Sequence, residues 1–423
     1  MAVVKRLVII VLFTSLISCQ CVGETPPRDY YAQLLYSNDT ISACQFNIMP
    51  DSKYVLKDTI DLQAKTLVLP KGVTICKKKG GLIRNGRLIG NNTKVNSCSV
   101  IFDKVKIEGS WIVPQISTSL FADLNYNNSL KDVIALSSPQ INNKIYIESG
   151  DYQGSVSKTG DAVLSLNSNT DVIINGNIRL IPNVFPSYSI IRADGNNIKI
   201  HGKGSLYGDK QTHIGKDGEW GMGIFISGGN VSVKDISVND CWGDCIYIRT
   251  RSKKILIDNC ALSNGRRQGI SITSARDVTI KNCVISNIFG TSPEYAIDVE
   301  PNKGDSIGKV IIDKVKAINC KGGICSYGKA AMSKTEYISI TNSLIKNSEK
   351  TPISFNECDE VIVRNCRIDN CKGSTAIALI KIKKGSVSRN LFTMKSNNIS
   401  EIINPSKHKY IEVTNCRYID VKE

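Results

Sequence analysis

The chain has 423 residues, with 54 basic and 38 acidic side chains and a formal net charge of +16. Such an excess of positive charge favours a polyanionic partner. No zinc-ligand spacing, basic helix or aromatic RNA-binding signature occurs, so the common nucleic-acid modules are excluded and an acidic polysaccharide is the expected partner. Aromatic residues make up only 6%, and short alternating apolar runs recur, which is typical of strands with tight corners.

The N-terminus predicts export. Residues 1–18 combine a basic start with an apolar stretch, 7–17, that is too short to span a bilayer. The segment ends in Leu-Ile-Ser before Cys19, which resembles a bacterial lipobox and predicts lipidation of that cysteine. The alternative is ordinary cleavage near Cys21 or Gly23. We therefore expect a lipoprotein at the cell envelope or surface that meets the membrane only through its lipid anchor, or otherwise a secreted or periplasmic protein.

The rest of the chain divides by its patterns into four segments. Residues 19–55 form an N-terminal tether, and 56–118 read as strand and turn throughout, which predicts small β-rich coils. Residues 119–142 hold the best helix candidate and are interpreted as a helical connector. Residues 143–423 carry the main repeat.

One apolar frame recurs six times in the main repeat. The successive spacings of its central residue are 24, 23, 32, 28 and 23. A period near 23 with insertions predicts a parallel β-solenoid, because each short repeat must stack on its neighbours to bury its apolar face. The expected fold is all-β: a single-stranded right-handed parallel β-helix with a small β-rich N-terminal region. The central residues are Val233, Ile257, Ile280, Ile312, Ile340 and Val363.

Asparagines and cysteines recur at one corner of the repeat. The asparagines predict an internal ladder of stacked amides, and the cysteines that follow them predict buried thiols. Local disulfides between Cys241 and Cys245, or Cys320 and Cys325, are also compatible with the spacing, whereas a zinc site is not. The ladder asparagines are Asn259, Asn282, Asn342, Asn365 and Asn415, and the corner cysteines are Cys260, Cys283, Cys366 and Cys416.

A second strand in each coil places polar residues on its outer face. Strand alternation predicts two outward rows, and the turns before these strands add further polar and aromatic groups. Carboxylates, guanidiniums and tryptophans on one face suit an oligosaccharide, since rings stack on sugars and carboxylates move protons. The rows are Phe225, Tyr247, Ser271, Asp298 and Cys325, then Ser227, Arg249, Thr273, Glu300 and Tyr327. The turns supply Glu219, Trp220, Trp242, Asp244, Arg267, Gln268 and Glu294, and the preceding loop supplies His213.

Asp244 and Asp298 lie two coils apart, which predicts a separation of about 9–10 Å. That distance is near the upper end of the range of about 6.5–9.5 Å for an inverting pair of carboxylates. Any long polar face on a solenoid contains some such pair, so decoration of a scaffold is the competing interpretation.

The runs GKGSLYGDK, GIFI, GDCIYI and QGISITS resemble the right-handed parallel β-helix of the pectin-degrading superfamily, and polygalacturonases most of all, over residues 143–416. The resemblance places Asp244 on the second aspartate of that family's G-D-D-C motif. Gly243 stands at the family's general acid, Met222 at the aspartate of N-T-D, and Gln268 at the histidine of G-H-G. Asp298 and Glu300 stand where R-I-K has Arg and Lys. The resemblance thus implies the fold but a different set of chemical groups.

These residues predict a polysaccharide-active protein that cleaves an acidic or pectin-like glycan by hydrolysis or β-elimination. The alternative is a non-catalytic glycan-binding or adhesin-like surface protein. Elimination would use Arg267 or Arg249, with Ca²⁺ held by Asp298 and Glu300 as an option. We expect a monomer or a side-by-side oligomer. The catalytic candidates are Asp244, Arg267, Asp298 and Glu300; the substrate-binding candidates are His213, Glu219, Trp220, Trp242, Tyr247, Arg249, Gln268 and Glu294.

Overall fold

The computed structural model describes residues 40–97, 99–124, 130–249, 252–328, 333–373, 375–394, 403–406 and 410–420. The export segment 1–18, Cys19 and most of the 19–55 tether lie outside these residues. Across the described ranges, no helix has the length and apolar character needed to cross a membrane. Contacts divide the chain into two compact units, Met1–Ile112 with Leu120–Ala122 and Val113–Ser119 with Asp123–Glu423.

The N-terminal unit contains one sheet in which all described pairs are parallel. Its long strand Leu82–Asn96 pairs with four of the others along its length. Trp111, only 1% exposed, packs edge-on against Phe102 and anchors the unit's own core. The strands are Thr40–Ile41, Lys53–Leu56, Thr59–Asp61, Thr66–Val68, Thr74–Lys77, Leu82–Asn96 and Phe102–Ile112.

The second unit is a right-handed parallel β-helix made of three sheets, whose strands follow one another in each coil. Sheet 1 comprises Gln115–Ser117, Asn143–Ile147, Thr170–Ile174, Ile198–His201, Gly229–Lys234, Ser252–Asp258, Ala275–Lys281, Ser306–Asp313, Lys334–Thr341, Cys358–Arg364, Lys384–Ser388 and Ile411–Thr414. Sheet 2 comprises Asp151–Gly154, Asn177–Leu180, Ser205–Tyr207, Ser237–Asn239, Ala261–Ser263, Val284–Ser286, Lys316–Ile318, Leu344–Lys346, Arg367–Asp369, Leu391–Met394 and Arg417–Asp420. Sheet 3 comprises Asp161–Leu166, Ser187–Ala193, Trp220–Ile226, Ile246–Ile248, Ile270–Ile272, Tyr295–Val299, Gly322–Tyr327, Ile353–Asn356, Ile377–Ile380 and Ile403–Ser406.

The register of sheet 1 confirms the predicted repeat. Val233 pairs with Ile257, and the same row continues through the predicted central residue of every later coil. All six of these side chains are fully buried. Each contributes roughly 1.5–3 kcal/mol on burial, which no single coil could realise without its neighbours.

The helix predicted within residues 119–142 is short. The structure has an α-helix at Leu130–Ala135, with Leu130 and Val133 buried, and single 3₁₀ turns at Ala43–Phe46 and Thr118–Leu120. Six residues form too few internal hydrogen bonds to stand alone. The helix therefore depends on packing against the strand Asp161–Leu166.

Two predictions for the corners are corrected. The corner asparagines are exposed rather than internal, and most of them bond aspartates rather than one another: Nδ2 of Asn282 donates to Asp258, whereas Nδ2 of Asn365 donates to Asn342. These asparagines sit at positive φ near 55°, a conformation asparagine tolerates at a tight corner. The predicted local disulfides are absent, because all four cysteines concerned are free and buried. The corner thiols Cys260, Cys283 and Cys366 are buried as predicted, while Cys416 is half-buried.

Candidate functional site

The outer face of sheet 3 brings the predicted polar rows into line. Phe225 pairs with Tyr247, Tyr247 with Ser271, Ser271 with Asp298, and Asp298 with Cys325. The row therefore runs parallel to the axis, with successive side chains about 4.8 Å apart. This alignment confirms the predicted register, but Ser271 and Asp298 are almost fully buried.

Turn residues reach the same face because the chain bends just before each strand. A Cβ added to Gly223 would lie 2.3 Å from Val238 and 2.9 Å from the Cys241 thiol, so this position faces the core, as does the next residue, Ile224. Side chains alternate between the two faces of a strand, so Met222, which precedes the inward Gly223, faces outward. Asp244 takes the equivalent position in the next coil, two residues before Ile246, and its backbone N–H contacts the Met222 sulfur at 3.4 Å.

Four carboxylates gather around one guanidinium. We call this the carboxylate cluster: Glu219, Asp244, Arg267, Asp298 and Glu300. Nη1 of Arg267 lies 3.4 Å from Oδ2 of Asp244, and its Nε lies 3.3 Å from Oε1 of Glu219. The remaining two carboxylates add to the field on Asp244 and Arg267. One positive charge thus faces an excess of negative charge at a site with little access to water.

Neighbouring coils hold Asp298 from both sides. The Cys325 thiol donates to its Oδ1 at 3.1 Å, and Nε2 of Gln268 donates to its Oδ2. The other end of the Gln268 amide accepts from the backbone N–H of Tyr295 at 3.2 Å. Gln268 is therefore a positioning group for this carboxylate.

Burial changes the acidity of the cluster. Loss of hydration raises the pKa of Asp244 to about 7, with Arg267 opposing this shift and the charge of Asp298 adding to it. Burial also raises the pKa of Asp298, helped by the charge of Glu300. Oδ1 of Asp244 is buried and has no hydrogen-bond partner in the structure. That oxygen therefore has an unused hydrogen-bonding position, although Asp244 is 0% exposed.

The raised pKa makes stability depend on pH. A carboxyl whose pKa is higher in the folded than in the unfolded state stabilises the fold fully below its unfolded pKa, and that contribution is lost as the pH rises through the folded value. For Asp244 the window runs from about pH 4 to about pH 7. We expect the unfolding free energy to fall across this window less steeply in Asp244→Asn than in the wild type, by up to roughly 1.4 kcal/mol per pH unit. Chemical denaturation at several pH values measures the difference, and identical slopes would contradict the burial of an ionising Asp244.

A pocket of about 260 Å³ shares no lining residue with the cluster and meets it at Met222, whose sulfur contacts the Asp244 N–H. The exposed Trp220 and the edge-to-face pair Phe225 and Tyr247 supply its aromatic surface. Arg192 stacks over Phe225 at 4.5 Å, and Arg249 lies 5.9 Å from the Tyr247 ring centroid. We call this the aromatic pocket; it is lined by Gly160, Ser187, Tyr188, Ser189, Arg192, Trp220, Met222, Phe225, Tyr247 and Arg249.

The two arginines of the aromatic pocket differ in their partners. Arg192 pairs with Asp194, whereas Arg249 has no ion pair among the described residues. The hydroxyl of Ser189, 2% exposed, has no hydrogen-bond partner among the described residues. The pocket thus offers a guanidinium and a hydroxyl that no described protein group satisfies.

His213 and Trp242 lie behind these sites rather than in them. Nδ1 of His213 is 2.9 Å from Asp209 and 3.0 Å from the Tyr188 hydroxyl, which itself donates to Asp209. His213 stacks on Trp242 at 4.2 Å, and Arg266 covers the Trp242 ring at 3.6 Å. This buried stack supports the turn that carries Asp244.

Glu294 lies in a different place from the other predicted residues. Its carboxylate accepts from the Gly290 N–H at 2.8 Å and pairs with Lys321 and Lys350. These bonds hold its pKa below the usual range even though burial opposes them. Glu294 lines a separate groove rather than the carboxylate cluster.

Sequence reasoning missed Tyr188, Ser189 and Arg192. They belong to Ser187–Ala193, which pairs with Trp220–Ile226 across an unusually long insertion. Because this spacing is longer than the repeat of about 23 residues, the periodicity did not identify them. In the part of the chain that the structure describes, no group of three His, Cys, Asp or Glu side chains is arranged to hold a metal ion, and Ca²⁺ at Asp298 and Glu300 stays a prediction.

The fold and this face define a right-handed parallel β-helix protein with an acidic cluster and an aromatic pocket on one sheet. Residues 183–336 match the family model described as right handed beta helix region, and they contain the carboxylate cluster and every lining residue of the aromatic pocket except Gly160. The fold is also similar to that of an endo-xylogalacturonan hydrolase from Aspergillus tubingensis, with a TM-score of 0.51 and 13% identity over 72% of this chain and 93% of that one.

Two curated relatives come from Bacillus subtilis strain 168. The chain is 32% identical over 163 residues to the uncharacterized protein YclG, and 29% identical over 142 residues to the SPbeta prophage-derived uncharacterized protein YorA. The matches cover 31% and 28% of this chain. They span only 28% and 24% of those relatives.

Proposed function

We propose that the β-helix cleaves a polysaccharide by hydrolysis at the carboxylate cluster. The observation that carries this proposal is the pair of buried carboxyls, Asp244 and Asp298, whose pKa values are both raised next to one guanidinium. Acid–base pairs in glycoside hydrolysis require one carboxyl to stay protonated near neutral pH. The solved relative named above is a hydrolase of xylogalacturonan, and we carry only polysaccharide cleavage over to this chain.

In this mechanism Asp244 is the general acid. It donates its proton to the glycosidic oxygen as the bond from that oxygen to the anomeric carbon breaks. Asp298, whose pKa is raised by burial and by the like charge of Glu300, accepts a proton from the attacking water, whose oxygen bonds to the anomeric carbon. Because two coils separate the strand positions, we expect inversion at that carbon. Arg267 keeps the cluster folded and stabilises whichever carboxylate is ionised.

Elimination through Arg267 is the weaker alternative. Asp244 and the other carboxylates raise the pKa of Arg267 despite its burial, so this guanidinium retains its proton more firmly than usual. A base must give up its proton before it can accept one. The same contacts that make Arg267 a good counter-charge make it a poor base.

The aromatic pocket supports an acidic sugar as the bound residue. Rings of Trp220 and Tyr247 suit a sugar face, and the guanidinium of Arg249 suits a carboxylate or sulfate. A volume of about 260 Å³ is the size of a single sugar rather than a long chain.

Replacing Arg249 with Met is expected to weaken binding of an acidic oligosaccharide about tenfold or more, since a charge-assisted hydrogen bond contributes about 1.5–3 kcal/mol. Titration calorimetry with oligogalacturonate measures this. Arg179→Met is the matched control, because Arg179 also covers an aromatic ring, Tyr207, but on sheet 2. An equal loss of affinity in both variants would contradict the assignment of Arg249 as the group that binds the acidic sugar.

A non-catalytic glycan-binding protein is the second candidate, and one observation favours it. Asp244 and Asp298 are at most 1% exposed, while Trp220 is 46% exposed. A binder needs only the accessible pocket. It predicts that Trp220→Ala abolishes glycan retention and that Asp298→Asn has little effect.

The deciding experiment incubates the purified protein with a panel of acidic and neutral polysaccharides, with Ca²⁺ and with a chelator. New reducing ends without ultraviolet absorbance from unsaturated sugars support hydrolysis, whereas that absorbance indicates elimination. Glycan retention without either signal supports the non-catalytic glycan-binding protein. Calcium dependence of either activity would support the predicted Ca²⁺ site. Mass analysis of the mature N-terminus tests whether Cys19 carries lipid, as we also propose.

A further inference from the structure

A second groove lies on the corner that follows the strands of sheet 2. It has a volume of about 750 Å³ and crosses four successive coils through Asn287, Asn319, Asn347 and Asn370. This volume falls in the range of roughly 300–1,000 Å³ that is usual for ligand sites. We call it the asparagine groove; its other linings include Phe289, Glu294, Lys321, Glu349 and Lys372.

The floor of the asparagine groove is a row of linked amides. Nδ2 of Asn370 donates to Oδ1 of Asn347 at 2.8 Å, and Nδ2 of Asn347 donates to Oδ1 of Asn319 at 2.7 Å, all on the exposed surface. Each amide nitrogen carries two N–H donors and each amide oxygen two lone pairs. The ladder uses only one of each, so an unused donor and acceptor recur about every 4.8 Å along the groove.

One end of the groove carries an aromatic ring. Phe289 is 51% exposed, although large apolar side chains are usually buried. The ammonium of Lys210 holds it in place, with Nζ 4.4 Å from the ring centroid and 2.8 Å from the Phe289 carbonyl oxygen. A fixed, half-exposed ring beside hydrogen-bonding groups is the arrangement that stacks on a sugar.

The four charged residues that line the groove form two ion pairs with one another. Glu294 is paired with Lys321 at 3.0 Å, and Glu349 with Lys372 at 3.5 Å. No excess charge among these linings selects an anion, which distinguishes the groove from the aromatic pocket with its Arg249.

We propose that the asparagine groove is a separate binding site for a neutral, hydroxyl-rich glycan chain. The regular amides would bind hydroxyl groups along the chain, and Phe289 would stack on one terminal sugar. This site holds a polysaccharide without cleaving it, and the inference does not depend on catalysis at the carboxylate cluster.

Two variants test it. Phe289→Ala removes the exposed ring but keeps the carbonyl that binds Lys210, and Asn370→Gly removes an amide at φ 47°, a conformation that glycine adopts freely. We expect each to reduce retention on insoluble cellulose, xylan or chitin at least fivefold. Turnover or binding of soluble acidic oligosaccharides should not change.

Asn282→Gly is the matched control, because Asn282 has φ 56° and belongs to the other corner ladder, outside the groove. It should retain wild-type behaviour. The proposal is overturned if the wild type is not retained on any of the three neutral supports, if both groove variants are retained normally, or if the control loses retention equally. Retention only on an acidic support would also overturn it.

Discussion

Replacing Asp244 with Asn is expected to lower the turnover of a cleaved polysaccharide by about 10²–10⁴-fold, the usual contribution of a general acid. The amide keeps the shape of the carboxyl but cannot supply a proton to the leaving oxygen. Because the pKa of Asp244 is about 7, wild-type activity should decline as the pH rises through that value and the acid loses its proton. The measurement is the rate of formation of reducing ends across the pH range.

Asp258→Asn is the control for this prediction. Asp258 is likewise an aspartate with a basic partner, but it lies at the end of a sheet 1 strand, where it accepts from Asn282 and pairs with Lys281. Its replacement should leave turnover within about twofold of the wild type, since single exposed ion pairs contribute little. If Asp244→Asn kept full activity with an unchanged pH profile, Asp244 would not be the acid.

The fold was predictable because its main constraint is local in sequence. Residues such as Ile257 and Ile280 must be buried and must pair with the equivalent residue of the next coil. Burial and stacking therefore require an apolar residue at the same position of each repeat. The strand Ser187–Ala193 has the same apolar pattern, but the insertion before Trp220 interrupts the regular spacing. Its contribution to the aromatic pocket therefore became visible only in three dimensions.

The site was predictable in outline and not in detail. Alternation placed Asp298 and Tyr247 on the outer face, but alternation says nothing about how much of that face is covered, and Asp298 is 1% exposed. Small residues preceding the inward isoleucines, such as Gly223 and Gly269, were the available signal for the bend that turns Asp244 outward.

Two predicted binding residues show where sequence reasoning ends. His213 and Glu294 are polar and flank the sheet in sequence, yet each has its partners elsewhere: His213 bonds Asp209 through Nδ1, and Glu294 pairs with Lys321 and Lys350. Loop paths determine these pairings, and the repeat pattern does not encode the paths of its insertions.

Replacing Arg267 with Met is expected to destabilise the fold by about 3–5 kcal/mol at pH 8, because it leaves the buried carboxylates without their counter-charge. The loss should shrink at about pH 5, where the raised pKa of Asp244 keeps that carboxyl neutral and the demand for a cation falls. Chemical denaturation of both proteins at the two pH values measures this. Arg276→Met is the control, since the Arg276 side chain is 67% exposed and its ion pair with Glu336 is long, at 4.0 Å. This variant should change stability by less than about 1 kcal/mol. A loss in Arg267→Met that is equal at both pH values would mean that packing, not charge, is what Arg267 supplies to the cluster.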